Sequence, residues 1–169
     1  MLEIEVKVRV EDLTPLREKL LGLGARLEKE RFFEENTLYD FRSQDLFHKH
    51  QALRLRKIGK KAYLTFKGTP QKSRRFKIRK ECETEVKNEK QLKQILKALG
   101  LRPTFHYKKF RTIFRKGRLK LCLDEISIGN FIEFEGERQK IAALAGQLGF
   151  SKSQWIKLDY IQLLRKEKA

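Results

Sequence analysis

The chain opens on a segment of strict alternation. Leu2, Ile4, Val6, Val8 and Val10 fall on one face, and Glu3, Glu5, Lys7 and Arg9 fall on the other. A period of two is the pattern of a β-strand. Alternate residues on a strand face stand roughly 7 Å apart, so two carboxylates and two cations share one row. Carboxylates so placed suit a hard divalent cation, and the cations suit phosphate. Taken alone, this strand reads as a surface strand whose outer, polar face is solvated.

The same alternation returns along the chain. Segments 25–34 and 37–41 read as strands separated at Asn36. In 51–58, Leu53 and Leu55 oppose Arg54 and Arg56, and in 62–67, Leu64 and Phe66 oppose Thr65 and Lys67. After a loop at Gly68 to Ser73, segment 76–86 sets Arg79, Glu81, Glu83 and Glu85 on one face. Segment 105–114 carries Lys109 and Arg111. In 118–124, Leu119, Leu121 and Leu123 oppose Arg118, Lys120, Cys122 and Asp124, and in 131–135, Ile132 and Phe134 oppose Glu133 and Glu135.

Four helices intervene. The first carries Leu13, Leu16, Leu20 and Leu23, with Asp12 or Thr14 as cap, Pro15 in its first turn and Gly22 and Gly24 at its end. The second carries Leu92, Ile95, Leu96 and Leu99 between Asn88 and Gly100. Ile141, Leu144 and Leu148 mark a third, and Tyr160, Leu163 and Leu164 a short fourth.

The order strand, helix, three strands occurs twice. Glu3-Ile-Glu-Val-Lys7 is echoed by Glu83-Thr-Glu-Val-Lys87, and Leu64-Thr-Phe-Lys-Gly68 by Ile132-Glu-Phe-Glu-Gly136. These echoes indicate an internal duplication, about 1–68 and 75–136, followed by C-terminal helices, in a single domain spanning 1–169.

Charge then bears on partners. The chain has 40 Lys plus Arg against 22 Asp plus Glu, a net charge of +18, which points to a polyanion. No apolar run approaches the roughly 20 residues of a membrane helix. The N-terminus enters a charged strand without a signal peptide, so a cytoplasmic location without membrane association is expected. Cys82 and Cys122 make neither a metal spacing nor a disulfide framework. His48 and His50 read as residues of an exposed loop, and His106 as structural.

An open sheet would leave two matched sets of charge facing water. About eight strands can instead close into a barrel. With the apolar faces under the helices, the charged faces would line a wet tunnel, where paired charges or bound ions offset the cost of burial. Linear polyphosphate with a divalent metal satisfies both signs. The expected fold is therefore α+β: an eight-stranded antiparallel β-barrel with flanking helices, built from two β-α-β-β-β halves.

The motifs resemble a known family in their order. Glu3-x-Glu5-x-Lys7, Asn36-Thr-Leu-Tyr-Asp40, Ala52-Leu-Arg-Leu-Arg56, Leu64-Thr-Phe-Lys-Gly68, Arg79-Lys-Glu81-Cys-Glu83, Lys109-Phe-Arg111, Leu123-Asp124-Glu125 and Gly129-Asn-Phe131-Ile-Glu133-Phe-Glu135 are similar to the motif series of the CYTH superfamily, the triphosphate tunnel metalloenzymes. Leu158 to Leu164 resembles its C-terminal Tyr-x-x-Leu-Leu stretch. The resemblance covers essentially the whole chain and is closest to class IV adenylyl cyclases and thiamine triphosphatases.

The resemblance implies Mg²⁺- or Mn²⁺-dependent chemistry on a nucleoside, inorganic or other organic triphosphate. It implies Glu3, Glu5, Glu81, Glu83, Asp124, Glu133 and Glu135 on the metal side. Lys7, Arg54, Arg56, Lys67, Lys109 and Arg111 fall on the triphosphate side, and Glu3, Glu5, Lys7, Lys109, Arg111 and Glu133 are the catalytic set. The first reaction expected is ATP to cyclic AMP and pyrophosphate, and the second is hydrolysis of a terminal phosphate. A reading of another class is a non-catalytic module for RNA or polyphosphate, supported by the basic 72–80 segment. A homodimer is compatible with all of these. Phe32, Phe33, Tyr39 and Phe47 read as core aromatics first and as a nucleobase pocket second.

Overall fold

The computed structural model of the protein describes residues 1–168. The elements run β1 (Leu2–Val10), α1 (Leu13–Gly22), β2 (Arg26–Asp40), α2 (Asp45–His48), β3 (Ala52–Ile58), β4 (Lys61–Lys67) and β5 (Lys77–Val86). They continue with α3 (Glu89–Ala98), β6 (Arg102–Lys116), β7 (Leu119–Ile126), β8 (Gly129–Glu135), α4 (Arg138–Gln147), a 3₁₀ turn (Lys152–Gln154) and α5 (Tyr160–Lys168). The strands hydrogen-bond in the closed order β1-β5-β4-β3-β2-β6-β7-β8, an eight-stranded antiparallel barrel with five flanking helices. Exchanging β1–β4 with β5–β8 maps this ring onto itself, the symmetry that a duplication would leave. No helix among the described residues is long and apolar enough to cross a membrane.

Packing divides the chain into two compact units. One comprises Met1–Leu2, Phe33–Gln71 and Arg79–Lys108, and the other Glu3–Phe32, Lys72–Ile78 and the chain from Lys109 onward. In the second unit, Val6 and Val8 of β1 and Leu121, Ile132 and Phe134 of β7 and β8 pack with Leu16 and Leu20 of α1 and Ile141 and Leu144 of α4. The helices thus cover the apolar strand face. Asp12 caps α1 by accepting from the Thr14 amide at 2.8 Å. The polar face of β1 is buried as well: Glu3, Glu5 and Lys7 are 7%, 4% and 1% exposed. The expectation of a solvated polar face on this strand does not hold.

In the first unit, Tyr39, Leu55, Ala62, Leu96 and Leu101 form a separate core, with Leu96 supplied by α3. Asn88 caps α3 through the Gln91 amide at 2.9 Å. Buried Asp40 accepts from the amides of Phe41, Leu46 and Phe47, which fixes the start of the one-turn α2.

Several expectations need correction. β2 runs unbroken through Asn36, because its inward series Glu34, Asn36, Leu38 and Asp40 keeps the period of two and is buried throughout. Arg118 is exposed in the turn that follows Gly117 (φ 57°), outside β7. The 43–51 loop contains α2, although His48 and His50 are exposed as expected. Phe33 and Phe47 are exposed, and of the four aromatics considered only Tyr39 belongs to a buried core.

Gly136 ends β8 at φ 147°, and its amide donates to the Ile4 carbonyl at 3.0 Å. A Cβ there would meet Leu119 Cδ2 at 2.7 Å. Gly136→Ala is expected to destabilise the protein by about 1–3 kcal/mol in urea denaturation, since both backbone strain and overpacking act there.

Candidate functional site

The charged face of the second unit is built from cross-strand rows. Lys7 of β1 stands opposite Glu133 of β8, and Glu133 opposite Cys122 of β7. Glu5 stands opposite Glu135, and Glu135 opposite Lys120. On β6, Arg111 stands opposite Asp124. Lys7 Nζ lies 3.5 Å from Glu133 and 3.8 Å from Glu5, and donates to the Leu158 carbonyl at 3.0 Å. Arg111 lies between two acids: it grips both oxygens of Asp124 at 2.6 Å and reaches Glu133 at 3.1 Å. Asp124, with no exposed surface, also accepts from Lys109 at 3.2 Å and from the Tyr160 hydroxyl at 2.7 Å. A further pair joins buried Lys77 to partly buried Asp159 at 2.7 Å.

These charges persist because they face one another. Burial alone would lower the Lys7 pKa, but Glu5, Glu133 and Asp159 outweigh it and hold the ammonium above its ordinary value. Burial likewise opposes the Arg111 charge, and the carboxylates of Asp124 and Glu133 more than restore it. Burial pushes the Cys122 thiol up to about 12, so it stays protonated. Burial, with Asp124 and Glu133 nearby, raises Tyr160 well above the ordinary phenol, which keeps its hydroxyl a donor.

The first unit has its own charged face. Lys67 pairs with Glu81 at 2.7 Å, directly across β4 and β5. Arg56 holds both oxygens of Glu83 at 2.9 and 3.0 Å, and Thr65 donates to Glu83 at 2.6 Å. Arg54 lies 3.8 Å from Glu83. Burial would lower the Arg54 pKa, but Tyr107, Glu34 and Glu81 hold it above its usual value. Buried Asn36 donates to Glu34 at 3.1 Å. The Nε–H groups of Arg54 and Arg56 and the Asn36 carbonyl oxygen are buried and find no partner among the described residues. Buried polar groups are nearly always hydrogen-bonded, so the two Nε–H donors suit an anionic oxygen, whereas the Asn36 carbonyl suits a donor.

The barrel order and these buried charge sets meet a direct comparison with known proteins. The CYTH domain model matches residues 1–148. The chain belongs to the CYTH family. A protein of Methanocaldococcus jannaschii with a provisional adenylate cyclase name is 28% identical over 96% of this chain and 98% of its own length. A Vibrio parahaemolyticus structure, also provisionally named an adenylate cyclase, superposes with a TM-score of 0.83 at 23% identity, covering 98% of both chains. A Hippeastrum structure described as revealing a dominant triphosphatase activity superposes with a TM-score of 0.71 at 17% identity, covering 99% of this chain and 96% of that one. At these identities the two structures speak to the fold alone.

In this CYTH chain, Glu3, Glu5, Lys7, Lys109, Arg111, Asp124, Glu133 and Glu135 lie in the second unit, and Arg54, Arg56, Lys67, Glu81 and Glu83 in the first. Lys7, Glu5, Glu133, Arg111, Asp124 and Lys109 form one connected ion-pair network. Arg9 has a different role: it donates to the Ile128 carbonyl at 2.7 Å and pairs with Glu167 of α5 at 3.3 Å. The expected site set omitted Glu34, Lys77, Tyr107 and Asp159, and also Asn36, Arg79 and Tyr160, which the sequence placed in strands, a helix and motifs but gave no site role. Arg79 was legible, since it shares the alternating face of Glu81. Glu34 and Asn36 were hidden by the expected strand break.

The donor chemistry fits the divalent metal that the family implies. All candidate ligands are carboxylate oxygens, the set preferred by Mg²⁺ and Mn²⁺. Glu5 and Glu135 stand directly opposite on β1 and β8, a like-charge pairing that destabilises a sheet unless cations intervene. Lys7 and Lys120 each approach only one of the two. Among the described residues no three such side chains form a ready-made metal cage.

Proposed function

We propose that this CYTH protein is a metal-dependent enzyme acting on triphosphates. Its first reading is an adenylyl cyclase that converts ATP to cyclic AMP and pyrophosphate. The observation that carries the triphosphate reading is the pair of buried Nε–H donors of Arg54 and Arg56 that no acceptor among the described residues meets, while the Nη2 groups of the same arginines face Thr65 and Glu83. Buried, always-charged donors in a planar fork are suited to phosphate oxygens. Family membership and the adenylate cyclase name of the Methanocaldococcus relative support the same direction.

The roles follow from the chemistry of each group. Glu3, Glu5 and Glu133, with Glu135, Glu81 and Glu83 as further candidates, would hold Mg²⁺ or Mn²⁺. The metal, when bound, supplies charge neutralisation and a template for phosphate oxygens. Lys7, Lys109 and Arg111 carry positive charge against the reacting phosphoryl group. Arg54, Arg56 and Lys67 bind phosphate oxygens. Catalysis of this kind rests on positioning and charge stabilisation rather than on a protein nucleophile. In the cyclase reaction the ribose 3′-oxygen attacks the α-phosphorus and pyrophosphate departs.

A second reading is a triphosphatase, in which water attacks the terminal phosphorus and orthophosphate departs. It is favoured by the aromatic side chains: Tyr39 belongs to the core, and Phe33 and Phe47 are exposed, so these three do not form a buried base pocket. Purified protein incubated with ATP, inorganic triphosphate and thiamine triphosphate, each with Mg²⁺ or Mn²⁺, separates the readings. Cyclic AMP with pyrophosphate is the expected product. Orthophosphate alone selects the triphosphatase. No turnover of any of the three, with tight and salt-sensitive RNA binding, overturns the enzyme reading.

A further inference from the structure

We propose that Tyr160, at the start of α5, is a positioning residue for the cations of the second unit, acting through Asp124. This rests on the triphosphate reading above only for its functional consequence. The family model ends at residue 148, so Tyr160 lies in the segment beyond the match. Residues 156–160 nevertheless tie directly into the charged network. Ile156 exchanges backbone hydrogen bonds with Lys7 at 2.8 and 3.1 Å, and the Leu158 carbonyl accepts from Lys7 Nζ at 3.0 Å.

The chemistry at Asp124 decides its role. A carboxylate offers about four lone-pair sites. Asp124 receives four donors: Arg111 Nε and Nη2 at 2.6 Å each, Lys109 Nζ at 3.2 Å and Tyr160 Oη at 2.7 Å. Three of them, from Lys109, Arg111 Nη2 and Tyr160, converge on Oδ2, and Arg111 Nε alone meets Oδ1. In this proposal Asp124 is the holder of Lys109 and Arg111. Tyr160 fixes that holder from the opposite chain end, and its ring lies 5.1 Å from Lys7 Nζ and 4.7 Å from Lys109 Nζ. Two ammonium groups beside one aromatic ring gain cation–π attraction, and the edge contact with Phe131 at 5.4 Å keeps the ring in place.

The test uses the full-length chain and the conservative variant Tyr160→Phe, which keeps the ring and deletes the hydroxyl. Loss of a hydrogen bond to a charged group is expected to raise the Kd for inorganic triphosphate, and KM in turnover, by about five- to tenfold, with a smaller change in kcat. Tyr160→Leu removes the ring as well and is expected to weaken binding further. A merely structural role would lower the melting temperature and leave Kd unchanged on the folded fraction, and that result overturns the proposal. The Arg111 Nε–H resonance in ¹⁵N-labelled protein reads the positioning without any ligand. Its exchange with solvent should quicken in Tyr160→Phe, and an unchanged signal also overturns the proposal. If the wild type fails to bind triphosphate, the functional reading falls while the resonance still decides the role of Tyr160.

Discussion

Replacing Glu5 or Glu133 by Gln is expected to lower triphosphate turnover by about two to three orders of magnitude while the fold persists. The size follows from removing one buried charged group that acts on developing charge. Gln keeps the volume, so the strand rows around it keep their packing. The network also tolerates the change: without the Glu133 charge, Arg111 retains both oxygens of Asp124, and Lys7 retains Glu5 and the Leu158 carbonyl. The check is initial rate against metal concentration, with circular dichroism confirming the folded state. Turnover within threefold of wild type in both variants would remove these carboxylates from the chemistry.

Arg111→Leu is expected to cost about 3–5 kcal/mol of stability, the range for breaking a buried ion pair by removing one partner. Arg111 is 6% exposed and serves two acids, one of which has no exposed surface at all. Lys109 and Tyr160 remain on Asp124 after the change, which places the loss toward the lower end of that range. Length alone does not make a bridge valuable. Arg17 and Glu30 meet at 2.6 Å but are exposed, and Arg17→Ala is expected to cost no more than about 1 kcal/mol. Urea denaturation of the two variants at neutral pH compares them directly. Equal losses would mean that burial of the Arg111 network contributes nothing special.

The period of two carried most of the fold. It placed Glu3, Glu5 and Lys7 opposite Val6 and Val8, and both faces prove to be buried. It put Lys67 and Glu81 each on the polar face of its strand, and the β4–β5 register makes them direct neighbours. It failed where the chain stops being a strand: Arg118 fits the alternation but falls in a turn set by Gly117. Asn36 misled in the other direction, because a turn-favouring residue sits inside a strand when its amide finds a buried partner such as Glu34.

The least legible part was Tyr160. Its spacing with Leu163 and Leu164 marks a helix stripe, and nothing local ties it to Asp124, 36 residues earlier. Lys7 and Leu158 are 151 positions apart. Contacts of that separation arise only when the barrel and the C-terminal segment fold together, and a pattern read over short windows does not contain them.

The central claim is that the buried cations exist to hold a triphosphate. Calorimetric titration of the wild-type protein with inorganic triphosphate, in about 150 mM salt with Mg²⁺ present, tests it most directly. The account predicts saturable one-to-one binding that ATP displaces and that Arg54→Ala and Arg56→Ala each weaken. Absence of binding, or weak binding matched by any polyanion and abolished by salt, would contradict it.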